Sequence, residues 1–390
     1  MWIEREALPL VRQRLAHHPV VVLTGARQTG KTSLARHALP EAGYITLDLP
    51  SEAEQAERDP TAFLARHPAP LIVDEVQYAP ALFRHLKTVV DAHRDLPGQY
   101  LLTGSQPFAL MREVADSLAG RASVLQLTGL TWAEIRVVHP HLDPIDVLLR
   151  GGFPELYRNL DIDPQGFFRS YVTTYLERDL RQQQQNVGNL RDFERFIRGA
   201  ALRTAGLLNR SDLARDVGIS PSTAGLWLSA LEAGGLVTLL EPWFMNTGKS
   251  LAKSPKLHGT DSGLTAFLMG ITRREDLLAS PLRGNLWESA VIANLRATQI
   301  NRTGGADLWY WRDRSHEVDV VIHEAGRFRL ADVKWSESPD AGDLRQLQAV
   351  AKGLPDGSVT RMAVLGRSAN SYPLKTGAAL APQDHTTWLA

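Results

Sequence analysis

Residues Val20 to Leu34 read VVVLTGARQTGKTSL, and this stretch decides the fold of the amino-terminal part of the chain. Its apolar beginning, with three consecutive valines, is typical of a buried strand in a parallel sheet. The strand pattern ends at Gly25, and residues 25–32 fit the spacing G-x-x-x-x-G-K-[ST]. Glycines at these positions allow backbone N–H groups to surround a phosphate chain, and the following helix directs its positive end towards it. The sequence therefore predicts a nucleotide-binding loop.

The spacing also assigns roles within this loop. We expect Lys31 to reach the β- and γ-phosphates and the hydroxyl of Thr32 to ligate Mg²⁺. The predicted cofactors are ATP and Mg²⁺. The predicted cofactor-binding residues are Gly25, Ala26, Arg27, Gln28, Thr29, Gly30, Lys31, Thr32 and Ser33.

Composition limits the remaining possibilities. A chain of 390 residues predicts two to four domains, and 44% hydrophobic with 22% charged residues is typical of a globular protein. Lys plus Arg and Asp plus Glu both number 43, so any contact with nucleic acid must come from a local basic patch. The absence of cysteine excludes disulfides, thiolate zinc sites and cysteine nucleophiles.

Targeting signals are not found in the sequence. Glu4 and Glu6 stand where a signal peptide needs basic and then apolar residues. No apolar run reaches the roughly 18 residues of a membrane span. The expectation is a cytoplasmic protein with no membrane contact.

A second short strand is predicted at Tyr44 to Leu49, and a third, Leu71 to Glu75, ends in two carboxylates. In P-loop ATPases the first acid, here Asp74, holds Mg²⁺ through water, and the second, Glu75, polarises the attacking water. Acids at the end of a strand are common, but this pair follows the phosphate loop by about 40 residues with a helix between. That position makes the assignment specific.

The fourth and fifth predicted strands, residues 99–105 and 123–127, supply further candidates. Thr103 or Ser105 fits the polar residue that senses the γ-phosphate in P-loop ATPases with an additional central strand; alternatively, these hydroxyls cap the next helix. Arg121, before the fifth strand, fits an arginine finger that neutralises transition-state charge. The alternative for Arg121 is a surface salt bridge.

The segments LTGARQTGKTSL, LIVDEVQ, LLTGSQ and SLAGR together resemble the prokaryotic AAA-type ATPases that carry an uncharacterised C-terminal region. In that family a winged helix and often a restriction-endonuclease-like domain follow the ATPase core. Residues 151–155 (GGFPE) and 175–179 (YLERD) resemble the signatures after the core, so the resemblance extends over most of the chain.

The expected fold class is α/β, with four parts. These are a P-loop AAA-type ATPase core (residues 1–130), a helical lid (131–190), a winged helix-turn-helix (191–260) and a C-terminal α/β restriction-endonuclease-like domain (261–390). The boundary after the lid is placed at the polar, low-complexity residues 182–188.

The predicted winged helix has helices at 192–205, 211–217 and 221–233, with Ser211 and Ser220 as caps, and a wing strand at 236–240. Its functional interpretation is DNA binding through the third helix. That helix contains no Lys or Arg, so we expect contact with the DNA backbone through Lys249, Lys253 and Lys256 of the wing instead. The alternative is a module for packing or for a protein partner.

Residues 280–390 are predicted to form a mixed α/β unit. The predicted elements are a helix at 285–297, strands at 308–312, 317–322 and 328–334, a helix at 343–352 and a strand at 360–365. We expect the tail from Pro382 to be loose.

Within this unit, Asp319, Asp332 and Lys334 fit D-x₁₂-[DE]-x-K, which resembles the restriction-endonuclease-like pattern, and Glu288 matches the acid on the first helix of that fold. If residues 325–326 form the centre of a hairpin, Asp319 and Asp332 face each other and Lys334 shares their face. Two facing carboxylates are expected to bind Mg²⁺ or Mn²⁺ between them. A register shifted by one residue would weaken this argument.

The sequence thus favours an ATP-hydrolysing protein whose nucleotide state controls a DNA-directed C-terminal half, interpreted as a metal-dependent nuclease. A non-cleaving regulator that binds DNA or protein, and a scaffold, are the alternatives. The expected partners are ATP and DNA. A homo-oligomer is possible, because the neutral charge and the lack of heptads leave assembly open.

Overall fold

The computed structural model describes residues 2–105, 114, 116–183, 190–243 and 254–389, with only the backbone at 175–183. Within these ranges no helix is both long and apolar enough to cross a membrane. The chain divides into two compact units. The first consists of Met1–Leu130, Ala233–Gly235 and Ala297–Gly305, and the second of Thr131–Glu232, Leu236–Arg296 and Ala306–Ala390.

The first unit is built on a parallel sheet. Its strands are β1 (Val20–Thr24), β2 (Gly43–Thr46), β3 (Leu71–Asp74), β4 (Tyr100–Thr103) and β5 (Ala122–Gln126). Their order is β2-β3-β4-β1-β5, so β4 lies between the strand before the phosphate loop and the strand with the two acids. The predicted additional central strand is therefore confirmed. In a parallel sheet of this kind, ligands bind at the carboxyl ends of the strands.

Helices cover both faces of this sheet. They are α1 (Leu8–Leu15), α2 (Lys31–Ala38), α3 (Pro50–Arg58), α4 (Pro60–Arg66) and α5 (Ala81–Ala92). All five residues of β1 are buried: Val20 and Val22 belong to one apolar cluster, and Val21 and Leu23 to another. This two-sided burial explains the continuous apolar run in the sequence.

The second unit begins with the helices α6 (Trp132–Val138), α7 (Pro144–Arg150), α8 (Pro154–Arg158) and α9 (Pro164–Gln183). The helical character predicted for this region is confirmed over its described part. The boundary predicted at 182–188 lies mostly outside the described residues.

The GGFPE segment follows α7 and has a specific backbone requirement. Gly151 has φ +74°, and a Cβ on it would lie 2.2 Å from Oδ1 of Asp261. Oδ2 of Asp261 accepts the backbone N–H of Gly152 at 2.7 Å, and Oδ1 accepts that of Leu264 at 2.8 Å. Glycine at position 151 therefore allows the carboxylate of Asp261, which is far away in sequence, to approach the backbone.

Helices α10 (Leu190–Ala201), α11 (Arg210–Val217) and α12 (Pro221–Ala233) come next, with β6 (Gly206–Leu207), β7 (Val237–Leu240) and β8 (Lys256–Gly259) in the order β6-β8-β7. Ser220 caps α12, because its hydroxyl accepts the N–H of Thr223 at 3.0 Å. The predicted cap Ser211 is wrong. Asn209 caps α11 and accepts the N–H groups of Ser211 and Asp212, since Ser211 already lies in the first turn.

A six-stranded sheet completes the second unit. Its elements are α13 (Ser262–Leu268), α14 (Arg274–Ala279), α15 (Arg283–Thr303), β9 (Trp309–Arg312), β10 (Glu317–Glu324), β11 (Arg327–Val333), α16 (Arg345–Ala351), β12 (Val359–Leu365), β13 (Tyr372–Leu374) and β14 (Gly377–Leu380). The strand order is β13-β14-β12-β11-β10-β9. Strands β9, β10 and β11 are antiparallel, and β12 runs parallel to β11.

The expectation of a loose tail is wrong. Residues Pro382–Leu389 form a 3₁₀ helix, and Trp388 within it is 1% exposed. Nε2 of His385 contacts the carbonyl oxygens of Gly366 and Leu380 at 3.0 and 3.1 Å. Burial lowers the pKa of His385 to about 4, so its ring is neutral at pH 7. The apolar side chain of Trp388 fixes the end of the described chain in the core.

Candidate nucleotide site and carboxylate cluster

The phosphate loop depends on two glycines. Gly25 has φ +142°, and a Cβ there would lie 2.2 Å from the carbonyl oxygen of Leu127. Gly30 has φ +92° and immediately precedes α2. Larger residues at either position would strain the backbone. The loop can therefore turn tightly and direct the first N–H groups of α2 towards a bound anion.

The other loop residues lie around this turn. Nζ of Lys31 donates to the carbonyl oxygens of Gly25 and Ala26 at 3.0 and 2.8 Å, so its ammonium lies over the loop. Thr29 donates its hydroxyl to Ala26 at 2.9 Å. The exposed or partly exposed members of the predicted set are Ala26, Arg27, Gln28, Gly30, Thr32 and Ser33. The structure thus brings the predicted cofactor-binding residues together on one loop and helix start.

Thr32 and Asp74, the two predicted Mg²⁺ residues, are in direct contact. The Thr32 hydroxyl lies 3.0 Å from both carboxylate oxygens of Asp74. Tyr44, which the sequence did not reveal, donates its hydroxyl to Oδ2 of Asp74 at 3.0 Å. Burial and the charge of Asp74 raise the pKa of Tyr44 to about 12. A hydroxyl and a carboxylate side by side are the hard oxygen donors that suit Mg²⁺.

Glu75 is held at a defined orientation in the left-handed backbone region, with φ +55°. Its Oε2 accepts the hydroxyl and the N–H of Ser105 at 2.9 and 3.3 Å and the amide of Gln77 at 2.5 Å. Burial acts to raise the pKa of Glu75. The hydrogen bond from Gln77 and the charge of Lys31 outweigh burial and lower this pKa, so the group is ionised at neutral pH.

The two candidate residues for sensing the γ-phosphate, Thr103 and Ser105, have different hydrogen-bond partners. Thr103 donates its hydroxyl to Asp74 and accepts the N–H of Glu75 at 3.2 Å. Ser105 contacts the Glu75 carboxylate instead. The helix cap proposed as the alternative would involve residues 106–113, which lie outside the described residues. Ser105 is therefore the hydroxyl placed to fix the predicted catalytic acid.

Arg121 does not reach the phosphate loop of its own chain. It directly precedes β5, whose residue Ala122 pairs with Val20 at the amino end of β1, whereas the loop follows the carboxyl end. Five strand residues at about 3.3 Å each separate these edges. Arg121 forms a two-point ion pair with Asp91, at 2.6 and 2.8 Å. The structure shows the salt bridge that was the alternative for Arg121. The prediction that Arg121 acts on the nucleotide bound to its own chain is wrong.

Arg5 is a contributor that the sequence analysis missed. It is 3% exposed, and its guanidinium donates to the carbonyl oxygens of Thr29, Thr128 and Gly129 at 2.7, 2.9 and 3.0 Å. Arg5 thereby ties the phosphate loop to the segment after β5. No local pattern signals this role, because the partners lie 24 to 124 residues away.

In the second unit, the β10–β11 hairpin has the predicted register. Val320 pairs with Ala331 and Glu324 with Arg327, and the turn residues between them have positive φ. This register places Asp319 opposite Asp332. The N–H of Asp319 lies 3.4 Å from Oδ1 of Asp332.

The four predicted residues of the second site lie close together, and two further residues, Lys256 and Glu317, join them. Nζ of Lys334 lies 3.5 Å from Oδ2 of Asp332. Nζ of Lys256, from β8, contacts Glu288 at 2.9 Å and Asp319 at 3.2 Å. Lys256 also contacts Glu317 at 2.6 Å. We call Lys256, Glu288, Glu317, Asp319, Asp332 and Lys334 the carboxylate cluster.

Electrostatic interactions within the carboxylate cluster are strong. Burial and the charge of Asp319 raise the pKa of Glu288 to about 8 and that of Asp332 to about 7. Burial opposes the charged form of Lys256, but the carboxylates of Glu288, Asp319 and Glu317 outweigh it and raise the pKa of this lysine. Lys256 is therefore a permanent cation at neutral pH.

The cluster does not fit the predicted metal centre. Over the part of the chain that the structure describes, no group of three or more His, Cys, Asp or Glu side chains could hold a metal ion. The metal role predicted for Asp319 and Asp332 is therefore not supported by their arrangement. The Asp319 carboxylate is instead paired with the ammonium of Lys256, at 3.2 Å.

Comparisons with known proteins support the AAA-type ATPase domain. The model of the AAA domain family matches residues 17–136, and two domains of unknown function, DUF8612 and DUF4143, match residues 142–275 and 283–383. The uncharacterized proteins Rv2008c of Mycobacterium tuberculosis and Mb2031c of Mycobacterium bovis are each 31% identical to this chain, over 98% of it and 85% of their own length. The chain belongs to the family of these mycobacterial proteins. Its first unit is an AAA-type P-loop ATPase domain, on the basis of the strand order, the loop and the AAA match.

Solved structures show a more general likeness. The Walker-type ATPase PABY2304 of Pyrococcus abyssi is 17% identical, with a TM-score of 0.47 over 68% of this chain and 96% of its own. The RuvB Holliday junction branch migration motor of Thermotoga maritima is 17% identical, with a TM-score of 0.30 over 60% and 85%. AMPPCP-bound DnaA from Aquifex aeolicus is 15% identical, with a TM-score of 0.31 over 57% and 86%.

Proposed function

We propose that the protein hydrolyses ATP with Mg²⁺ and that its nucleotide state controls a DNA-directed C-terminal half. The observation that carries the ATPase part is the position of Glu75. This ionised carboxylate is fixed by Ser105 and Gln77 beside the contact between Thr32 and Asp74. An anchored carboxylate next to a phosphate-binding loop is the arrangement needed to accept a proton from an attacking water.

Each residue of the nucleotide site then has a defined task. Lys31 and the N–H groups of the loop bind the phosphates. Thr32 and Asp74 would hold Mg²⁺, which when bound neutralises negative charge on the phosphates. Glu75 orients the water and receives its proton, and Ser105 keeps Glu75 in place. Residues 131–190 would act as the helical lid, and a homo-oligomer would allow Arg121 of one copy to act on another.

DNA binding is proposed from the order of elements α10, β6, α11, α12, β7 and β8, which is that of a winged helix. The exposed residues of α12 are Pro221, Ser222, Leu226, Ser229 and Glu232, and none of them is basic. Lys256 is buried and cannot contact DNA, while Lys249 and Lys253 lie outside the described residues. Because Lys249 and Lys253 are the remaining lysines of the predicted wing, we expect weak, non-specific binding to the DNA backbone whose affinity falls with salt.

The DNA-binding proposal is tested by titrating labelled duplexes of unrelated sequence at several salt concentrations, with ATP, with ADP and without nucleotide. Nucleotide-dependent, salt-sensitive binding supports the proposal. If no DNA binds in any nucleotide state, this module serves packing or a protein partner instead.

Metal-dependent cleavage of DNA is the second candidate function. The facing carboxylates of Asp319 and Asp332 with Lys334 beside them favour it, but it requires a metal ion to displace Lys256 from Asp319. The test is incubation of plasmid and linear DNA with Mg²⁺ or Mn²⁺, with and without ATP. Cleavage by the wild type that is lost in both Asp332→Ala and Lys334→Ala supports a nuclease. Intact DNA in every tube supports the non-cleaving regulator.

A further inference from the structure

The ammonium group of Lys256 has a complete set of partners inside the carboxylate cluster. Its Nζ lies 2.9 Å from Glu288, 2.6 Å from Glu317 and 3.2 Å from Asp319. An ammonium group has three N–H donors, and each finds a different carboxylate. The side chain of Lys256 is 2% exposed, so it is almost entirely removed from solvent.

The backbone around Lys256 holds this side chain in place. Lys256 belongs to β8, where it pairs with Leu207 of β6 on one side and with Leu240 of β7 on the other. Its Nζ lies 5.6 Å from the centroid of the Tyr310 ring, and the Tyr310 hydroxyl donates to Ser254 at 2.6 Å. Lys256 is the first residue of β8, but pairing on both sides restrains its backbone, and burial of the side chain limits its movement away from the cluster.

The carboxylate oxygens that a metal would need are already engaged. Oδ1 of Asp319 accepts a hydrogen bond from Nζ of Lys256, and Oδ2 accepts one from the N–H of Val333 at 2.9 Å. In Asp332, Oδ1 faces the N–H of Asp319 and Oδ2 faces Lys334. Mg²⁺ requires oxygen ligands at about 2.0–2.1 Å in near-octahedral geometry. An ion at that distance from the Asp319 carboxylate would lie close to the ammonium of Lys256 and be repelled by it.

We propose that Lys256 is the built-in counter-cation of the carboxylate cluster and that it excludes divalent metal ions from Asp319 and Asp332. The cluster then joins β8 to α15 and β10 by ion pairs. Arg312 adds a further cation at the edge of the cluster, with its Nε 3.4 Å from Glu317. Breaking such a buried network by removing one partner is strongly destabilising, because a charge is left unpaired.

The first test needs no change at position 256. Binding of Mn²⁺ to nucleotide-free full-length protein is measured by electron paramagnetic resonance, for the wild type and for Asp319→Asn. The expected result is the same number of bound ions per chain in both proteins. If the wild type binds one Mn²⁺ more than Asp319→Asn, the cluster holds a metal in the presence of Lys256, and the proposal is overturned.

The second test removes the ammonium. Lys256→Met keeps most of the side-chain length without the charge, and Lys256→Arg keeps the charge. We expect Lys256→Met to bind one additional Mn²⁺ per chain, and this ion to be lost when Asp319→Asn is added. Lys256→Arg should bind no additional ion. If a folded Lys256→Met protein binds no more Mn²⁺ than the wild type, Lys256 is not what excludes the metal. If Lys256→Met fails to fold, the first test decides alone.

Discussion

The hydroxyl of Ser105 donates to Oε2 of Glu75 at 2.9 Å and thereby links the segment after β4 to the acid that follows β3. The N–H of Ser105 reaches the same oxygen at 3.3 Å. The predicted catalytic carboxylate is thus oriented from the neighbouring strand. Thr103, two residues earlier, donates its hydroxyl to the carboxylate of Asp74, so each hydroxyl holds a different carboxylate, although Thr103 also accepts the backbone N–H of Glu75.

Ser105 and Thr103 should consequently have different effects on ATP hydrolysis. Ser105→Ala removes one hydrogen bond from Glu75, and we expect kcat to fall by roughly 10-fold to 100-fold, a cost typical of a misplaced catalytic group. Thr103→Val should mainly raise the Mg²⁺ concentration required for half-maximal turnover, because Thr103 contacts Asp74. Steady-state phosphate release at varied Mg²⁺ separates the two effects. Equal changes in both variants would contradict this division.

Arg5 should stabilise the phosphate loop. Arg5→Met keeps the volume but leaves the carbonyl oxygens of Thr29, Thr128 and Gly129 without this donor. Hydrogen bonds to charged groups contribute about 1.5–3 kcal/mol, so we expect a lower thermal midpoint and ATP affinity reduced by about 10-fold or more. Differential scanning fluorimetry with and without ATP measures both. Arg58→Met, at an exposed helix end, is the control. Unchanged ATP affinity in Arg5→Met would show that the loop does not need this support.

Gly151 should tolerate no side chain. Gly151→Ala places a Cβ against Asp261 at a positive φ, and strain of this kind costs of the order of 1–3 kcal/mol. Gly225 provides a matched control, since it lies inside α12 and a Cβ added to it would meet nothing within 4 Å. Gly225→Ala should be neutral or stabilise the helix by about 0.5–1 kcal/mol. Urea unfolding followed by tryptophan fluorescence compares the two. A neutral Gly151→Ala would contradict the close approach of Asp261.

Asp261 should make stability depend on pH. Burial raises its pKa from an ordinary 3.8 to about 6, although the N–H groups of Leu264, Gly152 and Gly263 act against this rise. The contribution of protonated Asp261 to the free energy of unfolding is fully present below pH 3.8 and is lost as pH rises through about 6. The reason is that the folded state keeps the proton to a higher pH than the unfolded state does. The loss is at most about 3 kcal/mol, since one pKa unit corresponds to about 1.4 kcal/mol.

Asp261→Asn should remove this part of the pH dependence. Unfolding free energies measured by urea between pH 4 and pH 7 should fall less with pH in the variant than in the wild type. Asp356→Asn, which changes an exposed carboxylate, is the control and should keep the wild-type slope. Parallel pH profiles for the wild type and Asp261→Asn would show that Asp261 titrates normally.

The sequence was sufficient for several features that follow from local spacing, although the cap at Ser211 was not one of them. The phosphate loop, the acids after β3 and the register of the β10–β11 hairpin all depend on residues a few positions apart. The two-residue turn at Ala325 and Gly326 fixes which side chains face each other, so Asp319 and Asp332 could be paired in advance.

Other features depend on partners far along the chain. Lys256 meets Glu288 and Asp319 from 32 and 63 residues away, and no spacing rule connects them. The burial of Trp388 and the hydrogen bonds of Arg5 were also missed, because their partners are far away in sequence. The position of Arg121 was within reach of the sequence, because a residue that precedes a parallel strand lies at the edge opposite the phosphate loop.

The central claim is that Glu75 activates water in a Mg²⁺-dependent ATPase site, and one measurement tests it most directly. Phosphate release from ATP and equilibrium binding of ATP are measured for the wild type, Glu75→Gln and Lys31→Ala, with Glu54→Gln as an exposed control. We predict that Glu75→Gln binds ATP nearly as well as the wild type but loses at least about 100-fold in turnover, the range of general base catalysis. Lys31→Ala should lose tight binding. Hydrolysis by Glu75→Gln at the wild-type rate would contradict the account.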